Sequence, residues 1–143
     1  MFEIYRYTDS DQSLWDNFVP NANNGTLFHL RSFLSYHPCD RFFDHSLLVN
    51  KKGKIFSVFP AAEQEIHGNR YLVSHPGSSV GSFVVNENLS IADSIDLVKS
   101  LLSYSKRLKF DGIRITMPPN LYQRRLSNYM DFSFLKNNFN YLK

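Results

Sequence analysis

The chain has one cysteine, Cys39, so no disulfide can form within it, and that usage fits a reducing compartment. It lacks any apolar run near the roughly 20 residues that a membrane-spanning helix needs. The first residues, Met1 to Asp11, lack the basic-then-apolar pattern of a secretion signal. The expectation is a soluble cytoplasmic protein. The five histidines show neither a His-x-x-x-His spacing nor a Cys/His pairing, which argues against a metal site. There is no Gly-Lys-Ser/Thr of a P-loop and no Gly-x-Gly-x-x-Gly of a dinucleotide fold. Internal repeats and low-complexity linkers are also missing.

What remains is a chain of 143 residues, one domain in length, 43% apolar and 20% charged. That is enough apolar material for a core. Thirteen Phe and eight Tyr supply bulk for the core and for one cleft. The formal charge is +3, with the densest basic groups at Lys51-Lys52-Gly53-Lys54 and Arg124-Arg125. A mild basic tilt is compatible with phosphorylated sugars or nucleic acid, but no nucleic-acid motif accompanies it.

Periodicity gives the elements. Phe2 to Tyr7 alternates as a strand. Thr8 to Asp11 offers N-cap residues, and Gln12 to Val19 places Leu14, Trp15, Phe18 and Val19 at helical spacing before Pro20 and the Asn-rich Asn21 to Gly25. Arg31 to Tyr36 reads as a second short helix. Ser46 to Val49 and Ile55 to Ala62 form a hairpin around Asn50 to Lys54. Glu63 to Gly68 is polar and reads as a loop. Arg70 to Ser74 is a strand, and Phe83 to Val85 a short edge strand. Ser90 caps the longest helix, whose apolar stripe is Ile91, Ile95, Val98, Leu101, Leu102 and Leu108. Ile113 to Met117 is a strand stopped by Pro118-Pro119. Leu121 to Ser127 reads as a short helix or loop, Asp131 to Phe139 as the last helix, and Tyr141-Leu142 as the start of a strand. The order is β-α-α-β-β-β-α-β-α, an α/β (α+β) mixed sheet with helices on its faces.

The stretch Asn69 to Phe83, NRYLVSHPGSSVGSF, is the one with site-like chemistry. A strand opens into a Gly/Ser loop ahead of a helix, where glycines admit close approach and N–H and hydroxyl groups can bond an anion or a sugar. The alternative is a flexible connection. His75 could take a proton from an acceptor amine or hydroxyl, or hold the loop by bonding its backbone. Ser74, Gly77, Ser78 and Gly81 line the same loop. His29 and Arg31 flank the Phe28 segment, where Arg31 could clamp a phosphate or carboxylate or sit at a helix start on the surface. Arg114 and Thr116 alternate to one side of their strand, toward either a cleft or solvent. Tyr36, Tyr122 and Tyr129 could stack on a sugar or simply be half-buried. Cys39 has no recognisable catalytic partner.

Several segments recur together in a known family. Trp15 to Val19, Asn24 to His29, Arg31 to His37 and Phe43 to Val49 are followed by Pro60-Ala61, Ser74-His75-Pro76-Gly77 with Gly81, and Ile113-Arg114-Ile115 with Pro118-Pro119 and Tyr122. In this order they resemble the first half of FemAB-like acyltransferases of the GNAT (N-acetyltransferase) fold, across nearly the whole chain. The resemblance implies a single GNAT-like domain over residues 1–143, the first half of a two-half protein. It implies transfer of an acetyl or aminoacyl group to an amine or hydroxyl of a cell-envelope sugar or its precursor. His75 would be the catalytic base, and His29, Arg31, Tyr36, Ser74, Gly77, Ser78, Gly81, Arg114 and Tyr122 would bind the acceptor. No permanently bound cofactor is implied. Acetyl-CoA or another acyl donor would be the co-substrate, and a small-molecule or nucleotide-sugar the acceptor. A homodimer or a second GNAT-like half would complete the protein, and tRNA enters only if the donor is an aminoacyl-tRNA. The GNAT loop Gln/Arg-x-x-Gly-x-Gly/Ala is absent, Val80 replaces a common aromatic and Ser82 a common glycine. The alternative is therefore a non-catalytic acceptor-binding or protein-interaction domain without a donor site.

Overall fold

The structure is a computed structural model that describes residues 2–34, 43–75, 81–118 and 123–141. The elements run β1 (Phe2–Arg6), α1 (Gln12–Phe18), α2 (Arg31–Leu34), β2 (Phe43–Asp44), β3 (Leu47–Lys51), β4 (Lys54–Phe59), β5 (Ala61–Ile66), β6 (Asn69–Ser74), α3 (Ile91–Arg107), β7 (Gly112–Arg114) and α4 (Tyr129–Lys136). Three short 3-10 turns fall at Asp9–Asp11, Val19–Asn21 and Leu27–His29.

The described strands form two sheets, antiparallel β1-β3-β4 and mixed β2-β5-β6-β7. The break falls at Pro60, which has no N–H to give a ladder, so the chain leaves the first sheet after Phe59 and enters the second at Ala61. Glu63 to Gly68 is not a loop. Residues Ala61–Ile66 pair in full register with Asn69–Ser74. The turn is His67-Gly68, both at positive φ, the two-residue geometry whose twist matches an antiparallel hairpin. The same geometry at Lys52-Gly53 closes the β3–β4 hairpin where the sequence places it. All pairs are antiparallel except β6 and β7, which α3 connects as a crossover.

Alternation along the strands builds two cores. Leu47, Val49, Phe59, Ala61, Leu72, Phe83 and Val85 meet Leu97, Val98 and Leu101 of α3 and Met130 and Phe134 of α4. Their neighbours Leu48, Val58 and Val84 point the other way, onto Tyr7, Trp15, Val19 and Ala22. The buried face of α3 is Ser94, Leu97, Val98, Leu101, Tyr104 and Ser105, whereas Ile91 is exposed. The apolar stripe was thus drawn about one residue off its true axis, because two serines and a tyrosine belong to the buried face. Ser90 caps the helix as expected, its hydroxyl accepting the Asp93 N–H at 3.0 Å. The segment Phe83 to Val85 makes one bridge, Val58 to Val84, not a strand. β7 is shorter than expected, and α4 starts two residues earlier and ends three earlier.

The Asn-rich segment does more than end α1. The Asn24 amide donates to the Phe83 carbonyl at 2.8 Å and accepts the Val85 N–H at 2.8 Å, standing in for a strand partner. Asn23 makes the same pair of bonds with Arg125, so two side chains clamp both segments that lead to the helices.

Candidate functional site

Strand alternation at Asp44-His45-Ser46 divides two polar clusters. Asp44 and Ser46 face α2, and His45 faces α3.

On the α2 side, Arg31 is the hub. Its backbone N–H donates to Asp16 Oδ1 at 2.7 Å. Its guanidinium lies 4.0 Å over the Tyr7 ring and 5.3 Å from that of Trp15. Nη1 donates to Asp44 Oδ1 at 3.1 Å and to Ser46 Oγ at 2.7 Å. At 8% exposure Arg31 is a buried cation paired with Asp44. His75 reaches the same carboxylate oxygen, Nε2 to Asp44 Oδ1, at 3.5 Å. The Asp44 side chain keeps 30% of its surface open while His75 keeps 5%. A histidine backed by a carboxylate can accept a proton and have the resulting charge held in place.

His29 is fully buried. Its Nδ1 accepts the Thr26 N–H at 3.1 Å, so its Nε2–H donates to the Gly81 carbonyl at 3.0 Å. Both nitrogens are bonded to the chain in this structure. Ser74 and Gly81 do come together. Ser74 Oγ accepts the Thr116 N–H at 2.8 Å, and the Thr116 carbonyl accepts the Gly81 N–H at 2.8 Å. A Cβ on Gly81 would overlap Ser74 Oγ, so the approach requires glycine. Ser74 and Gly81 therefore bond the chain in this structure, and the loop ends are stitched to the strand extension beyond β7. Gly77, Ser78, Tyr36, Tyr122 and Cys39 lie outside the described residues.

On the α3 side, sequence reasoning missed a chain of four groups that runs from buried Tyr104 and His45 through half-buried Glu63 to exposed Arg70. His45 Nδ1 lies 2.8 Å from Glu63 Oε2, and its Nε2 lies 2.7 Å from the Tyr104 hydroxyl. Glu63 Oε1 accepts from Arg70 Nε at 2.9 Å, and Arg70 stacks 4.0 Å over Phe110. Burial pushes the Glu63 carboxyl up, but hydrogen bonds from Arg70 and His45 and their charges reverse this, and its pKa falls below 4.5. An ionised Glu63 only accepts, so His45 donates from Nδ1 and takes the tyrosine O–H at Nε2. Glu63 was hidden by its assignment to a loop.

Burial is the main cause that lowers the pKa of both His45 and His29 from 6.5. Groups depressed in this way stabilise the fold above their unfolded pKa, and that stability is lost as pH falls through the folded values. Thermal midpoints followed by circular dichroism should therefore fall steadily between pH 7.5 and 5. A midpoint that holds or rises across that window would contradict the burial of these two rings in their neutral form.

A cavity of about 560 Å³ lies between β1 and α3, with Ile4, Tyr104 and Arg107 in its wall. Two others lie elsewhere on the domain. The larger of these, about 570 Å³, lies at the N-terminus of α3. Its walls come from Val85 to Ile91, from Met117 and Pro118, and from the start of α4, with Arg125, Tyr129 and Asp131 on the rim. Burial raises the Asp131 carboxyl. The smaller, about 200 Å³, lies on the sheet and is lined by Gln64, Val73, Ser74, Arg114 and Thr116. Arg114 and Thr116 share that side while Ile113 and Ile115 pack into the core, as alternation predicts. Among the described residues no cluster of three His, Cys, Asp or Glu could hold a metal. None of their helices is long and apolar enough to cross a membrane.

No protein-family model and no curated protein matches the sequence. Solved structures do match the fold. A ribosomal-protein-alanine N-acetyltransferase from Brucella melitensis biovar Abortus is 11% identical at a TM-score of 0.62, over 99% of this chain and 94% of that one. An aminoglycoside acetyltransferase from an uncultured soil metagenomic sample, in complex with trehalose, is 10% identical at 0.57, over 99% and 90%. A GNAT family acetyltransferase from Staphylococcus aureus is 15% identical at 0.51, over 83% and 88%. The two-sheet α/β architecture with its β6–α3–β7 crossover is the GNAT acetyltransferase fold.

Proposed function

We propose that the chain is an acyltransferase that draws its acyl group from an acyl-CoA bound at the N-terminus of α3. The observation that carries this is the position of the 570 Å³ cavity, which opens at the first turn of a 17-residue helix within a GNAT fold. The first amides of a helix have no partner within it. Ser90 takes the Asp93 N–H, and those of Ile91 and Ala92 remain for an anion. Among the described residues Arg125 is the one cation of the cavity wall, against the carboxylates of Glu87 and Asp131. Those amides and Arg125 therefore carry the affinity for the donor's phosphates.

His75 would serve as the base. The acceptor's nitrogen or oxygen forms a bond to the thioester carbonyl carbon, and the C–S bond breaks. His75 takes the proton from the acceptor, Asp44 holds the imidazolium, and the proton passes to the leaving thiolate. An amine or hydroxyl of a cell-envelope sugar, the acceptor of the FemAB-like resemblance, is the class to assay first. Amino sugars mixed with acetyl-CoA should release free CoA thiol faster than acetyl-CoA alone. No acceptor-dependent thiol release across neutral, amino and nucleotide sugars would reject the reading.

A second reading draws on Leu126, Phe132, Leu135 and Tyr141, all at least 48% exposed beside α4. An acceptor-binding domain without a donor site would use this face to dock on a second GNAT-like half or a second copy. A dimer in sedimentation with no acetyl-CoA binding would favour it.

A further inference from the structure

We propose that the small cavity on the β6–β7 face is an anion-anchoring subsite, in which Arg114 holds a phosphate or carboxylate borne by the acceptor. Its role toward an acceptor rests on the acyltransferase reading; the anion site itself does not.

The register places Arg114 opposite Val73, Val73 opposite Ala62, and Ala62 opposite Asp44. One row of the sheet therefore runs from a carboxylate beside His75 to a guanidinium at the edge strand, three strand spacings or about 14 Å away. The residues that line the cavity around Arg114 are Gln64, Val73, Ser74 and Thr116. They bring an amide and two hydroxyls, and no carboxylate. The other arginines near the sheet are spent. Arg6 donates to the Asp44 carbonyl, Arg31 pairs with Asp44, and Arg70 pairs with Glu63. Among the described residues no carboxylate lies within ion-pair range of Arg114.

Arg114 is also held in place. Its guanidinium lies 5.4 Å from the centroid of the Tyr71 ring, which keeps it along the sheet surface. Gly112, next along the same face, leaves room for that ring, since a Cβ there would fall 2.6 Å from Tyr71 Cε2. A planar fork fixed by a ring and flanked by hydroxyls suits two oxygens of one anion. His75 directly follows Ser74, a residue of the cavity, so an anion held here brings the rest of its molecule toward the proposed base.

The test titrates inorganic phosphate, glycerol 3-phosphate and acetate into the full chain, read by the backbone amide resonances of Gln64, Val73, Ser74, Arg114 and Thr116. Saturable shifts of these amides with at least one anion are expected, and the better ligand tells a phosphate from a carboxylate. Arg114→Gln should weaken that binding at least tenfold, and Arg125→Gln should leave it unchanged. No saturable shift up to concentrations on the order of 10 mM, or equal binding by Arg114→Gln, would overturn the proposal. Acetyl-CoA titrated the same way reads Ile91 and Ala92 instead. Loss of that response with the Arg114 response intact would reject the donor reading alone.

Discussion

His75→Ala is expected to lower acyl transfer about 10²- to 10⁴-fold at neutral pH while leaving the affinity for acetyl-CoA unchanged. The separation of the two effects follows from the structure. His75 follows β6 and lies beside Asp44, and the proposed donor cavity is walled by Val85 to Ile91 and the start of α4, which His75 does not line. Its ring is buried, so alanine also removes packing, and His75→Gln is the companion variant that retains volume. Both variants should be equally slow. Asp44 is a poorer probe because Arg31 depends on it, and an uncompensated buried guanidinium costs about 3–5 kcal/mol. A His75→Gln enzyme that keeps a third of the wild-type rate would remove His75 from the mechanism.

Trp15→Ala should be the most damaging single change to stability, at about 3–5 kcal/mol. Trp15 is fully buried, and its indole N–H donates to the His29 carbonyl at 2.7 Å. Its ring meets Tyr7 edge-on at 5.4 Å and forms part of the aromatic seat of Arg31. Alanine would empty that seat, leave the carbonyl without its donor and loosen the hold on the Arg31–Asp44 pair. The melting midpoint should fall by roughly 10 °C. Urea unfolding followed by fluorescence of the tyrosines checks this, and a loss below about 1 kcal/mol would show that the α1 side collapses around the cavity at little cost.

The elements that were legible in the sequence are those whose local chemistry and burial agree. Ser90 before a long apolar period gave α3 its start, and Lys52-Gly53 gave the first hairpin its turn. Ala61–Ile66 was not legible because only its first two residues are buried, and a half-exposed strand rich in Glu and Gln reads like a loop. The candidate site divides in the same way. Arg114 and Thr116 were placed on one side by period-two alternation alone. Arg31 and His29 were recognised as unusual, but whether a charged residue faces a ligand or a buried carboxylate depends on tertiary partners far along the chain. Arg31 meets Asp44 across 13 residues, and His29 meets Gly81 across 52. The Glu63–His45–Tyr104 chain is built from β5, the β2–β3 connection and α3, and no short motif announces it. The proposed donor cavity is lined by residues from both sides of α3, which leaves only Ser90 as its trace in the sequence.

The most direct test of the account is a calorimetric titration of acetyl-CoA into the full chain at low salt. One saturable site per chain is predicted, weakened about tenfold or more in Arg125→Ala, the effect of losing one charge-assisted hydrogen bond to a phosphate. An absence of binding, or binding indifferent to Arg125, would contradict a donor site at the N-terminus of α3.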